Sequence, residues 1–130
     1  MELIPCIQTL AHLNALNRWP EYKEHFDVDD ILLAQDERVY LLIDHMFATL
    51  ADSFTSRVVH IGMDEAHLLG RGRYADLHGV EERFGLWLDI FVVFVISEKN
   101  IGFRFLMWSD MFFRLASGGD TTSRKRSVTK

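Results

Sequence analysis

Cysteine is nearly absent. Cys6 is the only one, so no internal disulfide can form. That is compatible with a reducing compartment, and the expected location is cytoplasmic. No basic segment leads into an apolar stretch at the N-terminus, where Glu2 stands instead, so no signal peptide is read. Long apolar runs are missing too. The most apolar stretch, residues 86–96, is interrupted by Asp89 and falls far short of the roughly 20 residues a membrane span needs. It reads as buried in protein, with no membrane partner expected. Basic charge is scarce in the body of the chain. Net charge is −5, yet Arg124, Lys125, Arg126 and Lys130 crowd residues 121–130, which contain no acid. The acidic body lacks the basic face that phosphate-backbone binding requires, so no nucleic-acid partner is expected. No glycine is followed by lysine, so the phosphate cradle Gly-x-x-x-x-Gly-Lys-[Ser/Thr] does not occur.

What is present suffices for one domain with a real core: 130 residues, 48% of them hydrophobic. Residues 3–10 form a short apolar run, a candidate buried strand, although Pro5 removes one ladder donor. Residues 11–30 read as a long polar connection holding Trp19, Pro20 and Tyr22, and connections of that length tend to be functional. Residues 36–54 carry the helical period, with Val39, Leu42, Ile43, Met46, Phe47, Leu50 and Phe54 on one stripe. Asp36 or a nearby aspartate suits the cap at its start. Residues 57–62 predict a second strand, and Gly70-Arg71-Gly72 a turn. Residues 81–98 are β-rich in composition but long, and Glu81 and Glu82 suit a first helical turn, so a helix is predicted. Residues 103–108 predict a third strand, followed by Ser109 and Asp110. Strand, helix, strand, helix, strand implies a parallel α/β sheet with crossover helices. In such folds ligands sit at the C-terminal ends of the strands.

The segment Val58-Val59-His60-Ile61-Gly62-Met63-Asp64-Glu65-Ala66-His67 stands at such an end. Three chemistries use these letters. Asp-Glu-Ala-His is a helicase box, but it needs the missing phosphate cradle. His60, Asp64, Glu65 and His67 are all possible metal ligands, although the spacing is not the His-Glu-x-x-His helix of a zinc protease. Paired carboxylates also serve glycosidic cleavage, with one donating a proton and the other stabilising positive charge. Trp108 and Trp19 could then stack on sugar faces. Without its neighbours the pair would read as a solvated turn.

The neighbours carry a resemblance. His60-Ile61-Gly62-Met63-Asp64-Glu65 resembles the signature of family 20 glycoside hydrolases, the β-N-acetylhexosaminidases. Ile7-Gln8-Thr9-Leu10-Ala11-His12 is similar to the preceding strand, which ends in a histidine, and Met107-Trp108-Ser109-Asp110 to the following one. The resemblance runs from about residue 3 to residue 120. It implies part of a (β/α)8 (TIM) barrel, about three parallel strands, the third to fifth. It implies hydrolysis of terminal β-linked N-acetylhexosamines with retention, the substrate's acetamido group acting as nucleophile. Asp64 would orient that group and stabilise the oxazolinium, and Glu65 would be the acid and then the base. His12 and His60 would support the pair, Trp108 would wall the pocket, and Asp110 would line it. No cofactor and no metal are implied.

The chain also departs from the family. A full barrel takes about 250 residues. The family's sugar-binding arginine on the first strand and the tyrosine, tryptophans and acids of later strands have no counterpart here. Residues 121–130 read as an unrelated, disordered basic tail, which suggests a truncated or frameshifted product; resequencing the locus tests that. Open barrel edges invite self-association, and the isolated chain is expected to be a poor enzyme or a non-catalytic carbohydrate-binding remnant.

Overall fold

The computed structural model describes residues 1–113. They form a mixed α/β unit in which no barrel closes. In chain order come helix α1 (Asn14–Asn17), a 3-10 helix (Pro20–His25), strands β1 (Phe26–Val28) and β2 (Ile31–Leu32), helix α2 (Glu37–Ser53), strand β3 (Val58–His60), helices α3 (Arg73–His78) and α4 (Arg83–Ile101), and strand β4 (Arg104–Leu106).

The parallel core is small. β3 pairs in parallel with β4, Val59 opposite Phe105. On its other side β3 meets the N-terminal segment through a parallel bridge between Cys6 and His60. There the Ile7 amide donates to the His60 carbonyl and the His60 amide to the Pro5 carbonyl, each at 2.9 Å. Pro5 therefore enters the ladder as an acceptor, the role its missing N–H leaves open. The expected strand over residues 3–10 shrinks to this bridge, because among the described residues Leu3 and Ile4 pair with no strand and lie exposed. The other two expected strands are present with shorter bounds.

α2 forms where the helical stripe predicts it. Val39, Ile43, Phe47 and Leu50 are its buried face. Asp36 caps it, its Oδ1 accepting from the Arg38 amide at 2.9 Å. The Arg38 guanidinium, hydrogen-bonded to the Asp36 carboxylate, holds that carboxyl below its ordinary range. α4 begins at Arg83, just after the expected start. Glu82 caps it, accepting from the Phe84 amide at 2.9 Å and the Gly85 amide at 2.7 Å. Both helices bury one side on the strands. Phe47 of α2 stacks on Phe105 of β4 at 5.3 Å and meets Phe94 of α4 edge-on at 6.2 Å. The opposite face of α4 exposes Leu88, Val92 and Ile96, one side of a helix that is apolar nearly all round.

Residues 11–30 differ from the expected open connection. They hold α1, the 3-10 helix and most of an antiparallel β1–β2 hairpin. The hairpin packs inward: Phe26, Ile31 and Leu32 are buried, and the Leu32 amide donates to the Leu10 carbonyl at 2.8 Å. Asp27, also buried, accepts from the amides of Gly70 at 2.6 Å, Gly72 at 3.2 Å and Tyr74 at 2.8 Å. One carboxylate thus ties the hairpin to the start of α3. No described helix is long and apolar enough to cross a membrane. The boundary at residue 120 and the basic tail lie outside the described residues.

Candidate active site

Beyond β3 the backbone continues between its neighbours. The Ile61 amide donates to the Leu106 carbonyl at 2.8 Å, and the Trp108 amide to the Gly62 carbonyl at 3.2 Å. Thr9, on the N-terminal segment, donates its hydroxyl to the Ile61 carbonyl at 2.8 Å. The chain then turns sharply. Gly62, Met63 and Glu65 all adopt left-handed backbone, with φ of +71°, +63° and +53°. Glycine suits the first of these, since a Cβ there would also collide with the Gln8 side chain. For Met63 and Glu65 the conformation is strained, and such strain persists only where the surroundings over-determine it.

The surroundings are identifiable. Met63 and Ala66 are fully buried on either side of the carboxylates. The Met63 carbonyl accepts from the Trp87 indole N–H at 3.1 Å, so α4 braces the turn directly. The Glu65 amide donates to Asp110 Oδ2 at 3.0 Å, anchoring the turn to the segment after β4. Asp64 and Glu65 project from this fixed loop, one largely covered and the other half exposed.

His12 meets both. It too has left-handed backbone, at φ +62°. Its Nε2 lies 3.4 Å from Asp64 Oδ2 and 3.5 Å from Glu65 Oε2, while its Nδ1 is 4.0 Å from Asp30. When protonated, this imidazole offers charge to both carboxylates of the pair. Gln8 Nε2 approaches Asp64 Oδ1 at 3.4 Å. Asp64, Glu65, Trp108, Ser109 and Asp110 line an open concavity of about 290 Å³.

The residues singled out in the sequence therefore divide. Asp64, Glu65, His12 and Asp110 come together, and Trp108 joins them at the concavity. His60 stands behind it. Its Nδ1 accepts from the Gly62 amide at 3.1 Å, Cys6 Sγ lies 3.6 Å away, and its ring packs on Trp108 at 4.8 Å. His60 thus shapes the turn and backs the tryptophan, and its described contacts do not include the carboxylates. The metal set His60, Asp64, Glu65 and His67 is not what assembles. The described cluster of potential ligands is His12, Asp64 and Glu65, whose ligand atoms lie within 4.8 Å of one another. His60 Nδ1 is engaged by the Gly62 amide, and His67 follows the buried Ala66. Trp19 lines a separate groove, whose lining includes His12, the residue that contacts Asp64 and Glu65.

Sequence reasoning missed Gln8, Asp30 and Ser109. Gln8 sits inside a segment already matched to the family, four residues before His12, so its position was readable and its role was not. Asp30 carries no such signal, because it is placed by a hairpin too short to show a pattern. Comparison with known protein families and with curated proteins found no match for this chain.

Proposed function

We propose that Asp64 and Glu65 form the carboxylate pair of a glycosidase site for terminal β-linked N-acetylhexosamines, in a partial (β/α)8 barrel of about three units. The observation that carries this reading is His12 Nε2, lying 3.4 and 3.5 Å from two adjacent carboxylates at a parallel strand tip. Trp108 and Asp110 line the same concavity. The order N-terminal segment, β3, β4, joined through α2 and α4, supports consecutive barrel units.

In the proposed reaction the substrate's acetamido oxygen attacks the anomeric carbon as the glycosidic C–O bond breaks. Glu65 gives its carboxyl proton to the departing oxygen. Asp64 accepts from the acetamido N–H and offsets the positive charge of the oxazolinium ring. Water then attacks the anomeric carbon, Glu65 takes its proton back, and the acetamido group reforms, with net retention. His12 and Gln8 hold Asp64 in place, and Trp108 supplies an apolar wall. The concavity is open and lined by few residues, so turnover by this chain alone is expected to be slow. Unpaired strand edges and the apolar outer face of α4 favour self-association of copies.

Nitrophenol release from a nitrophenyl β-N-acetylglucosaminide tests the proposal. Slow release that Glu65→Gln abolishes supports it, and release indifferent to Glu65 contradicts it. Binding of the oxazoline mimic (the thiazoline of N-acetylglucosamine) without any hydrolysis would identify a carbohydrate-binding remnant.

A second reading rests on the same three side chains, since His12, Asp64 and Glu65 present ligand atoms close enough for a divalent cation. That reading requires zinc to raise the melting temperature and a chelator to reverse the rise. A melting temperature indifferent to both removes it.

A further inference from the structure

Beside the carboxylate pair, on the far side of His12, lies a second groove of about 390 Å³. Its walls include Leu16, Arg18, Trp19, Leu42 and Met46. No carboxylate lines it, in contrast to the first concavity with Asp64, Glu65 and Asp110. The groove has the composition of a small-molecule cleft, mostly apolar with a few polar groups.

Trp19 is its most unusual member. The side chain is 52% exposed, yet its backbone is held. The Trp19 amide donates to the Leu16 carbonyl at 3.1 Å, and its own carbonyl accepts from the Tyr22 amide at 3.1 Å. It occupies the junction between α1 and the 3-10 helix, where Pro20 fixes the next residue's φ. The Arg18 guanidinium lies over the ring at 5.6 Å from its centre. A large aromatic surface is thus both positioned and open to solvent.

We propose that this groove is the leaving-group subsite of the Asp64–Glu65 site. Its occupant is the second pyranose ring of a β-linked N-acetylhexosamine disaccharide, and Trp19 is the stacking platform. The inference rests on the glycosidase reading above. A group bonded to the oxygen that Glu65 protonates lies next to Glu65. His12 touches Glu65 at 3.5 Å and forms the near wall of the groove. A ring extending from that oxygen past His12 meets Trp19. The C–H face of a pyranose is apolar and packs on an indole, while its hydroxyls accept from Arg18, which has five N–H donors and no acceptor. Leu42 and Met46, half-buried on α2, form the floor.

The test is calorimetry on the full chain carrying Glu65→Gln, titrated with N-acetylglucosamine and with its β-1,4-linked dimer. Trp19→Ala is then added, and turnover of N-acetylglucosaminyl β-fluoride by the unsubstituted chain is measured alongside. The fluoride has no leaving-group ring, so it reports on the carboxylate pair alone. The expected result is that the dimer binds about tenfold more tightly than the monomer, the scale of one aromatic stacking contact. Trp19→Ala should erase that advantage and leave monomer affinity unchanged. Equal binding of dimer and monomer, or an advantage that survives Trp19→Ala, overturns the subsite while fluoride turnover keeps the glycosidase reading. A Trp19-dependent advantage without fluoride turnover overturns hydrolysis and with it the leaving-group role, and leaves only a sugar-binding groove. Failure of both sugars to bind overturns both.

Discussion

Asp27 is buried in β1 and commits both its oxygens to backbone amides, those of Gly70, Gly72 and Tyr74. Asp64 stands at the end of the parallel ladder, partly covered, and among the described residues its contacts are the side chains of His12 and Gln8. Asp27's partners are fixed N–H groups, so its lone pairs are satisfied and its role ends with holding the hairpin to α3. Asp64's partners are longer and weaker contacts from side chains that could re-form around a substrate. Glu65 repeats the contrast within one residue. Its amide is anchored to Asp110 while its carboxylate stays half exposed beside His12. The chain thus anchors the backbone of its candidate site by fixed bonds, while the described contacts of the two carboxylates are with side chains.

The largest effect should come from the structural member. Asp27→Ala leaves three amides without an acceptor in a buried place and is expected to cost about 3 kcal/mol of stability, read by urea unfolding. A cost below about 1 kcal/mol would mean that water replaces the carboxylate easily, and the comparison would fail on that side. Next comes the chemical member. Asp64→Asn should lower whatever turnover the chain has by about a hundredfold, the scale of one lost charge-stabilising group, with an unchanged melting temperature. A fall in melting temperature as large as that of Asp27→Ala would show Asp64 to be structural as well.

Gly62→Ala probes the join between the two roles. The left-handed backbone and the crowding by Gln8 predict a loss of about 1–2 kcal/mol. The turn it begins carries the pair, so under the proposed glycosidase reading sugar binding should weaken too. Unchanged binding would detach the turn from the site. The smallest effect belongs to Asp36, far from both. Asp36→Ala removes a helix cap, worth about 1 kcal/mol, and should leave sugar binding untouched. The Asp36 carboxyl is held below its ordinary 3.8 chiefly by the Arg38 hydrogen bond. A depressed folded value means that its contribution is present above pH 3.8 and is lost as the pH falls through that lower value. Acid unfolding of wild type and Asp36→Ala should therefore converge only in that acid range.

What the sequence revealed follows from the range of the forces involved. α2 was legible because Val39, Ile43, Phe47 and Leu50 repeat at helical spacing and Asp36 stands at the cap position. The Asp64–Glu65 tip was legible because a β-branched run, a glycine and two acids are contiguous. Residues 11–30 were misread because a hairpin with strands of three and two residues offers no period to detect. Asp27 meets its partners 43 to 47 positions away, and no local pattern announces such a bond. The separation of His60 from the carboxylates was hidden for another reason. Alternation along a strand would place His60 and Asp64 on one face, but two left-handed residues between them, Gly62 and Met63, break that alternation.

The most direct measurement is calorimetric titration of the full chain with the thiazoline of N-acetylglucosamine, before and after Asp64→Asn. It requires no turnover and reads the pair alone. The account predicts one binding site, weakened at least about tenfold by Asp64→Asn and unaltered by Asp36→Ala. No binding, or binding equally strong without the Asp64 carboxylate, would contradict it.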